Sequence, residues 1–336
     1  MRAVSLQGPG RAEVIDFREP KQNSGELLLK IEMVGLCGTD LNSFRGRNPL
    51  VTFPRVIGHE IAATVVEGSA KVPAGTRVTV SPYTSCGVCA ACLSGRVNAC
   101  KSNQTFGVQR DGALTEWISV SEEKVYASSL SLKELCIVEP LTVGVHAVAR
   151  GRVSSKDVVA VFGCGGVGLG AVAGAAFRGA RTIAIDVDDE KLNTARAAGA
   201  TDAIHSLNED VHARLQELTD GHGPSVVIEA IGLAQTFVAA VEEVAFTGRV
   251  VYIGYAKQPV AYDTRLFVQK ELDVMGSRNA LPQDFREVIA MLDAGRFPVD
   301  AAVSTMIGME DVPGILQQWS ETPAAFRKIM VQVGKR

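Results

Sequence analysis

The sequence predicts an α/β protein in two parts, a β-rich body followed by a parallel sheet with helices on both faces. Three observations carry that expectation. From residue 158 to 276, apolar runs such as Val158-Val159-Ala160-Val161-Phe162 alternate with helical segments, the pattern of strand–helix–strand units. The first 140 residues instead hold short strands punctuated by glycine and proline, as in a compact barrel-like or sandwich body. At 336 residues the chain is long for one core.

In chain order, residues 26–34 are branched and apolar enough for a buried strand, after turns at Pro9-Gly10 and Asn23-Ser24-Gly25. Residues 56–66 combine a helix or turn at Gly58-His59-Glu60 with a strand through Ala63-Thr64-Val65-Val66. Residues 76–80 and 116–120 alternate polar and apolar side chains as half-buried strands do. The character changes near Glu139-Pro140, and residues 141–150 have helical spacing. Strands are then expected at 158–162, 182–186, 203–204, 226–229, 249–254 and 272–276. Helices are expected at 166–178, 189–198, 210–218 and 235–245. Asp188-Asp189-Glu190 suits the N-terminal dipole of the second of these. A helix at 284–294 and an apolar strand at 326–333 finish the chain. An apolar terminal strand has to be buried, so its expected place is in the first domain.

Composition sets limits on function. The chain is 46% hydrophobic and 21% charged with a net charge of -3, an ordinary globular balance. No basic tract suggests nucleic acid, and no run of eighteen apolar residues suggests a membrane span. Met1 to Leu6 lacks the features of a signal peptide, so the expected compartment is the cytoplasm.

Gly163-Cys164-Gly165-Gly166-Val167-Gly168 matches G-x-G-x-x-G between a predicted strand and a predicted helix. In such a turn the first glycine bends the chain, the second lets pyrophosphate touch backbone, and the third brings helix to strand. The helix N-terminus favours the phosphates. Asp186 ends the next strand, 18 residues after Gly168. A carboxylate there binds both ribose hydroxyls and repels a 2'-phosphate, which selects NAD over NADP. Lys191 either reaches the ribose or is a solvated helix lysine.

Two clusters suggest metal. Cys37-Gly38-Thr39-Asp40 and Gly58-His59-Glu60 bring together a thiolate, an imidazole and carboxylates, ligands that zinc takes when one position stays open. Cys86, Cys89, Cys92 and Cys100 put four thiolates in a 15-residue loop, the donor set of a closed structural zinc site. An iron–sulfur cluster uses similar spacing, but nothing else in the chain suggests electron transfer.

With Glu139-Pro140-Leu141-x-Val143-x-Val145-His146-Ala147 added, these motifs follow one another in an order that resembles the zinc-dependent medium-chain alcohol dehydrogenase family. The resemblance covers about residues 30 to 280. It implies a GroES-like catalytic domain made of both chain ends, 1–140 and 281–336, with a Rossmann NAD-binding domain at 141–280. Glu139-Pro140 is similar to the sorbitol dehydrogenase branch, where cysteine, histidine and glutamate surround the zinc. Carried over, Cys37 and His59 are zinc ligands, and Glu60 and Glu139 share the remaining role, one direct and one behind it. Phe53-Pro54-Arg55-Val56-Ile57-Gly58-His59-Glu60 and Gly276-Ser277-Arg278-Asn279-Ala280 look most like enzymes acting on hexonates, such as L-galactonate and L-gulonate 5-dehydrogenases.

The implied activity is transfer of a hydride from a secondary alcohol of a polyol or sugar acid to NAD, with two zinc ions per subunit, one catalytic and one structural. Thr39 would accept the substrate proton. Asn42 stands where many relatives, threonine dehydrogenases among them, carry a histidine that passes the proton to solvent. Asparagine cannot titrate, so threonine is a weaker candidate substrate. Ala62 and Ala63 replace a family glycine, and the segment to Gly75 is shortened, which affects a turn more than chemistry.

Arg45, Arg278 and Asn279 are candidates for the substrate, the arginines because they bind carboxylates in bidentate fashion; for Arg45 a surface role competes. Phe44, Phe53 and Trp117 either line the pocket or belong to the core, with Trp117 assigned to the core. Asp40 caps or orients, His146 packs in the core, and His205, His212 and His222 are solvated. Cys136 and Cys164 fill space, and Glu229 is buried by its neighbours. The strand at 272–276 would be a sheet edge open to a second copy, so a homodimer or homotetramer is expected.

Overall fold

The computed structural model describes residues 1–334. The chain divides into two compact units: Met1–Glu139 with the residues from Val299 onward, and Pro140–Pro298. The first division falls inside the Leu132–Arg150 helix.

The first unit is built on a seven-stranded sheet. Its long strand Glu26–Leu36 has alternate side chains fully buried, which its Leu/Ile/Met/Val content permits. It pairs antiparallel with Glu60–Glu67, with Trp117–Ser121 and with the C-terminal strand Ile329–Gln332. Ile329 lies opposite Leu36, so the end of the chain closes onto the strand that leads to Cys37. Leu29, Ile31, Ile61, Val78, Val331 and Trp319 belong to the core beneath it.

The second unit contains a six-stranded parallel sheet. Its order is Asp202–His205, Arg181–Asp186, Val158–Phe162, Val226–Glu229, Arg249–Tyr252 and Asp273–Gly276. The three strands to one side of Val158–Phe162 follow in chain order and the two on the other side run outward in reverse. That reversal is the doubly wound topology, with its switch point beside the glycine turn. Near-continuous apolar runs such as Val226-Val227-Ile228 are buried on both faces, as a covered parallel sheet requires.

Of the two alternatives at Gly58-His59, the chain forms a loop that turns between two strands and not a helix. The elements differ from expectation in two places. A strand, Thr305–Gly308, and a helix, Val312–Glu321, lie in a stretch that gave no clear sequence signal. The boundary expected at 280 falls at Pro298 instead. The reason is the Pro282–Asp293 helix, which buries Phe285, Val288, Met291 and Leu292. Its Glu287 binds Arg178 through two bonds of 2.7 Å, and its Asp284 accepts from the buried His146 at 2.8 Å. Those partners all belong to the second unit.

Candidate functional site

In the first unit, Cys37 directly follows the Glu26–Leu36 strand and stands at the N-cap of the short helix Gly38–Phe44. Glu60 opens the neighbouring strand and pairs with Gly35, so sheet register alone brings Glu60 and its predecessor His59 beside Cys37. One ligand atom from each of Cys37, His59 and Glu60 lies within 4.8 Å of the others. Glu60 is completely buried and His59 nearly so. A Cβ at Gly35 would sit 1.9 Å from Glu60 Oε2, so the carboxylate occupies the space of the missing side chain.

Lys328 completes this seat. Its Nζ lies 2.6 and 2.7 Å from the two Glu60 oxygens and donates to the Leu36 carbonyl at 3.2 Å. Lys328 is itself buried, and Glu60 holds its ammonium charged against the cost of burial, raising its pKa. Glu139 lies outside the three-residue group. It is 4% exposed and accepts a hydrogen bond from the Tyr83 hydroxyl. Burial raises the Glu139 pKa against the pull of His59, and burial followed by the nearby Glu139 raises that of Tyr83.

Asp40 organises the loop ends. It accepts from the Cys37 amide at 2.8 Å and the Gly58 amide at 3.3 Å. Its Oδ1 stands 3.8 Å from His59 Nδ1, beyond hydrogen-bond range, and that buried nitrogen has no partner. Burial pushes the Asp40 carboxyl above its usual range. Burial opposes the His59 cation, but Asp40 and Cys37 carry its pKa well above the ordinary value. The pocket therefore holds a thiol, an imidazole and three buried carboxyl groups, with Lys328 as the cation paired to them. A soft, divalent metal fits both that donor set and that charge.

The four cysteines of the loop also converge, with all four sulfurs within 4.8 Å of one another. Cys89 Sγ is 3.5 Å from Cys92 Sγ and 3.9 Å from Cys100 Sγ. Amides of Cys92 and Lys101 lower the Cys89 thiol to about 6, so it ionises readily, while burial raises Cys92 to about 11. All seven cysteines are free thiols. Four convergent sulfurs fit a closed tetrahedral metal site.

Other predicted residues fall elsewhere. Thr39 Oγ1 lies 3.7 Å from Cys37 Sγ, close enough to serve the same site. Asn42 is exposed. Phe44 is 3% exposed in the core of the first unit. The Arg45 guanidinium is bonded to Ser320, at 3.1 Å to its hydroxyl and also to its carbonyl. That contact ties the end of the Gly38–Phe44 helix to the Val312–Glu321 helix. In the second unit, Arg278 is exposed and Asn279 has a φ of 52°.

The glycine turn of the second unit has the form its sequence predicts. Gly163 has a φ of 92°, which a side chain disfavours. A Cβ at Gly168 would lie 1.8 Å from the Gly163 carbonyl oxygen, so helix and strand meet there as closely as backbone allows. Gly165 and Gly166 have open space where a Cβ would be; with Val167 they start the Gly166–Phe177 helix. Free amides at a roomy helix N-terminus fit a pyrophosphate. Asp186 accepts from the Cys164 amide at 2.7 Å and the Val187 amide at 2.8 Å. Lys191 Nζ stands 3.7 Å from Asp186.

Sequence reasoning missed Gly35, Tyr83 and Lys328. The one available signal was Lys328 itself, the cation that directly precedes the apolar run Ile329-Met330-Val331.

Comparison with known proteins agrees with this geometry. Residues 23–129 match the family described as alcohol dehydrogenase GroES-like domain, and residues 166–294 match zinc-binding dehydrogenase. The chain is 32% identical to an uncharacterised zinc-type alcohol dehydrogenase-like protein of Haemophilus influenzae, over 98% of both chains. It is 33% identical to L-galactonate-5-dehydrogenase of Escherichia coli over 84% of each. Among solved structures, an alcohol dehydrogenase of E. coli CFT073 complexed with NADH superposes with a TM-score of 0.89 at 25% identity, covering 99% of both chains.

Proposed function

Because this chain belongs to the zinc-type alcohol dehydrogenase family, we propose that it oxidises a secondary alcohol of a polyol or hexonate to the ketone, with NAD as hydride acceptor. Family membership makes it a zinc- and NAD(P)-dependent oxidoreductase. The finer reading rests on one observation, the convergence of Cys37 with the buried His59 and Glu60, with Lys328 behind them.

In this reading Cys37, His59 and Glu60 hold the catalytic zinc, and Cys86, Cys89, Cys92 and Cys100 hold a structural one. The catalytic ion would act as a Lewis acid that lowers the pKa of the substrate hydroxyl. Asp40 fixes the Cys37 and Gly58 amides and so the angle between the two ligand loops. Lys328 fixes the Glu60 carboxylate. Glu139, bonded to Tyr83, stands behind the first three as a carboxylate of raised pKa. The Thr39 hydroxyl would accept the substrate proton while giving up its own. Asn42 cannot titrate, so the relay would end on water or another group. In the second unit the Gly163–Gly168 turn binds the dinucleotide phosphates, and Asp186 with Lys191 binds the adenosine ribose, favouring NAD.

Among the described residues no helix is long and apolar enough to cross a membrane. The Asp273–Gly276 strand is a sheet edge with Val274 44% exposed. Pairing of that edge with a second copy would give a homodimer or homotetramer.

The test is a screen of hexonates, polyols and threonine against NAD and NADP, read by the absorbance of the reduced nicotinamide. A hexonate or polyol should turn over with NAD, and Cys37→Ser should abolish the signal. Turnover of threonine alone, or activity surviving in Cys37→Ser, would overturn the assignment.

A further inference from the structure

Glu229 has no part in the chemistry above, yet it is a carboxylate with 0% exposure at the carboxyl end of the parallel sheet. It ends the Val226–Glu229 strand directly opposite Phe162, the residue before Gly163. No charge is needed to end a strand, and a buried carboxylate is costly unless donors surround it. Here three neutral donors meet at one oxygen. Oε1 accepts from the amides of Ile231 at 2.9 Å and Gly232 at 2.8 Å, and from the Thr236 hydroxyl at 2.7 Å. The other oxygen, Oε2, is buried without a partner.

A second loop presses on the same carboxylate. A Cβ at Gly254 would lie 2.4 Å from Glu229 Oε2 and 2.5 Å from the Gly232 amide nitrogen. The Gly254 and Ile253 amides donate to the Glu229 carbonyl at 3.2 and 2.9 Å. Backbone on one side and three donors on the other leave the carboxylate no freedom, so the turn after Glu229 has one position.

That position bears on the glycine turn. The Ala230 amide donates to the Phe162 carbonyl at 2.9 Å. Ile231 Cγ1 stands 2.6 Å from where a Gly163 Cβ would be. Ile231 remains 43% exposed and Leu233 49%, two apolar side chains presented at the end of the sheet where a doubly wound fold binds its ligand.

We propose that Glu229 is a positioning residue of the dinucleotide site, whose carboxylate holds the 230–233 turn so that Ile231 walls the space beside Gly163. This rests on the reading that the second unit binds a nicotinamide dinucleotide. The turn, not the charge, meets the ligand, so an acceptor of the same shape serves nearly as well as glutamate.

The test titrates the zinc-loaded protein with NADH and follows nicotinamide fluorescence. Glu229→Ala should weaken binding by about tenfold, the effect of losing the fixed turn. Glu229→Gln keeps an acceptor for both amides and should stay within about threefold. Gly254→Ala keeps the Glu229 side chain but forces its carboxylate to move, and should weaken binding as Glu229→Ala does. Zinc content and the KM for the alcohol at saturating NAD should not change in any of them, which separates positioning from general damage. If Glu229→Ala does not fold, Gly254→Ala against Glu229→Gln decides the matter. NADH affinity within about twofold of the parent in Gly254→Ala would overturn the proposal. A parent that bound no NADH would overturn the dinucleotide reading and this one together.

Discussion

Glu60 and Glu229 are both fully buried and each is pressed against a glycine, yet their charges are met in opposite ways. Glu60 faces one ammonium group, that of Lys328, from a segment 268 residues away. Glu229 faces three neutral donors, all within seven residues. The first arrangement suits a site that must gather several anions around a cation. The second suits a turn whose shape matters and whose charge does not. The charge of Glu60 therefore hangs on a single distant residue, whereas the geometry at Glu229 is set locally.

The largest effect should come from breaking the first arrangement. Lys328→Met leaves Glu60 buried opposite no cation, and removing one member of a buried pair costs about 3–5 kcal/mol. The melting temperature of the metal-free protein should fall accordingly, and zinc at the Cys37 site should be lost to a chelator faster than in the parent. NADH affinity should not change. Lys328→Arg should recover part of the loss, because a guanidinium can still bind both oxygens. Equal melting temperatures for Lys328→Met and the parent would show that Glu60 does not depend on this pair.

The same contrast explains what could be read from the sequence. The glycine turn, Asp186 and the four-cysteine loop are contiguous or nearly so, and each has a spacing with one sensible chemical use. Glu229 was recognisable as buried for the same local reason. The Cys37 and His59 motifs were legible as ligand types, but their setting was not. Lys328 reaches Glu60 only because Ile329 pairs with Leu36, and Tyr83 meets Glu139 across 56 residues. No periodicity carries such pairings. The contact of Arg45 was hidden for the same reason: its partner Ser320 sits on the Val312–Glu321 helix, which the sequence did not announce. The domain boundary failed likewise, since only packing shows that the Pro282–Asp293 helix stays with the parallel sheet.

A smaller effect should come from the glycine that seats Glu60. In Gly35→Ala the new Cβ would lie 1.9 Å from Glu60 Oε2, so the carboxylate has to move by an ångström or more. A displacement of that size at a reacting centre costs about a hundredfold in rate. The expected outcome is a fall of that order in kcat with NADH affinity unchanged, the reverse of the pattern in Gly254→Ala. If both alanine variants lost dinucleotide affinity alike, the two seats would not be independent, and the contrast between distant and local control would fail.

The smallest effect tests whether the second unit also contains a charge-dependent anchor, away from its ligand end. Asp157 precedes the Val158–Phe162 strand. It accepts from the Ser154 amide at 2.8 Å and the Ser225 hydroxyl at 2.9 Å, and it pairs with Arg249. Burial pushes its pKa up, but the Ser154 and Ser225 bonds and Arg249 together outweigh burial and hold it below the ordinary aspartate value. A carboxyl whose pKa is lower folded than unfolded binds a proton more tightly in the unfolded chain. Its stabilisation is therefore complete above the unfolded pKa, near 4, and disappears as pH falls through the folded value. Asp157→Asn should lower stability at neutral pH by about 1–3 kcal/mol, the range for hydrogen bonds to a charged group. The difference between the two proteins should shrink steadily below pH about 4, as followed by denaturant unfolding across the acid range. A gap that persisted unchanged in acid would mean that Asp157 acts through packing alone.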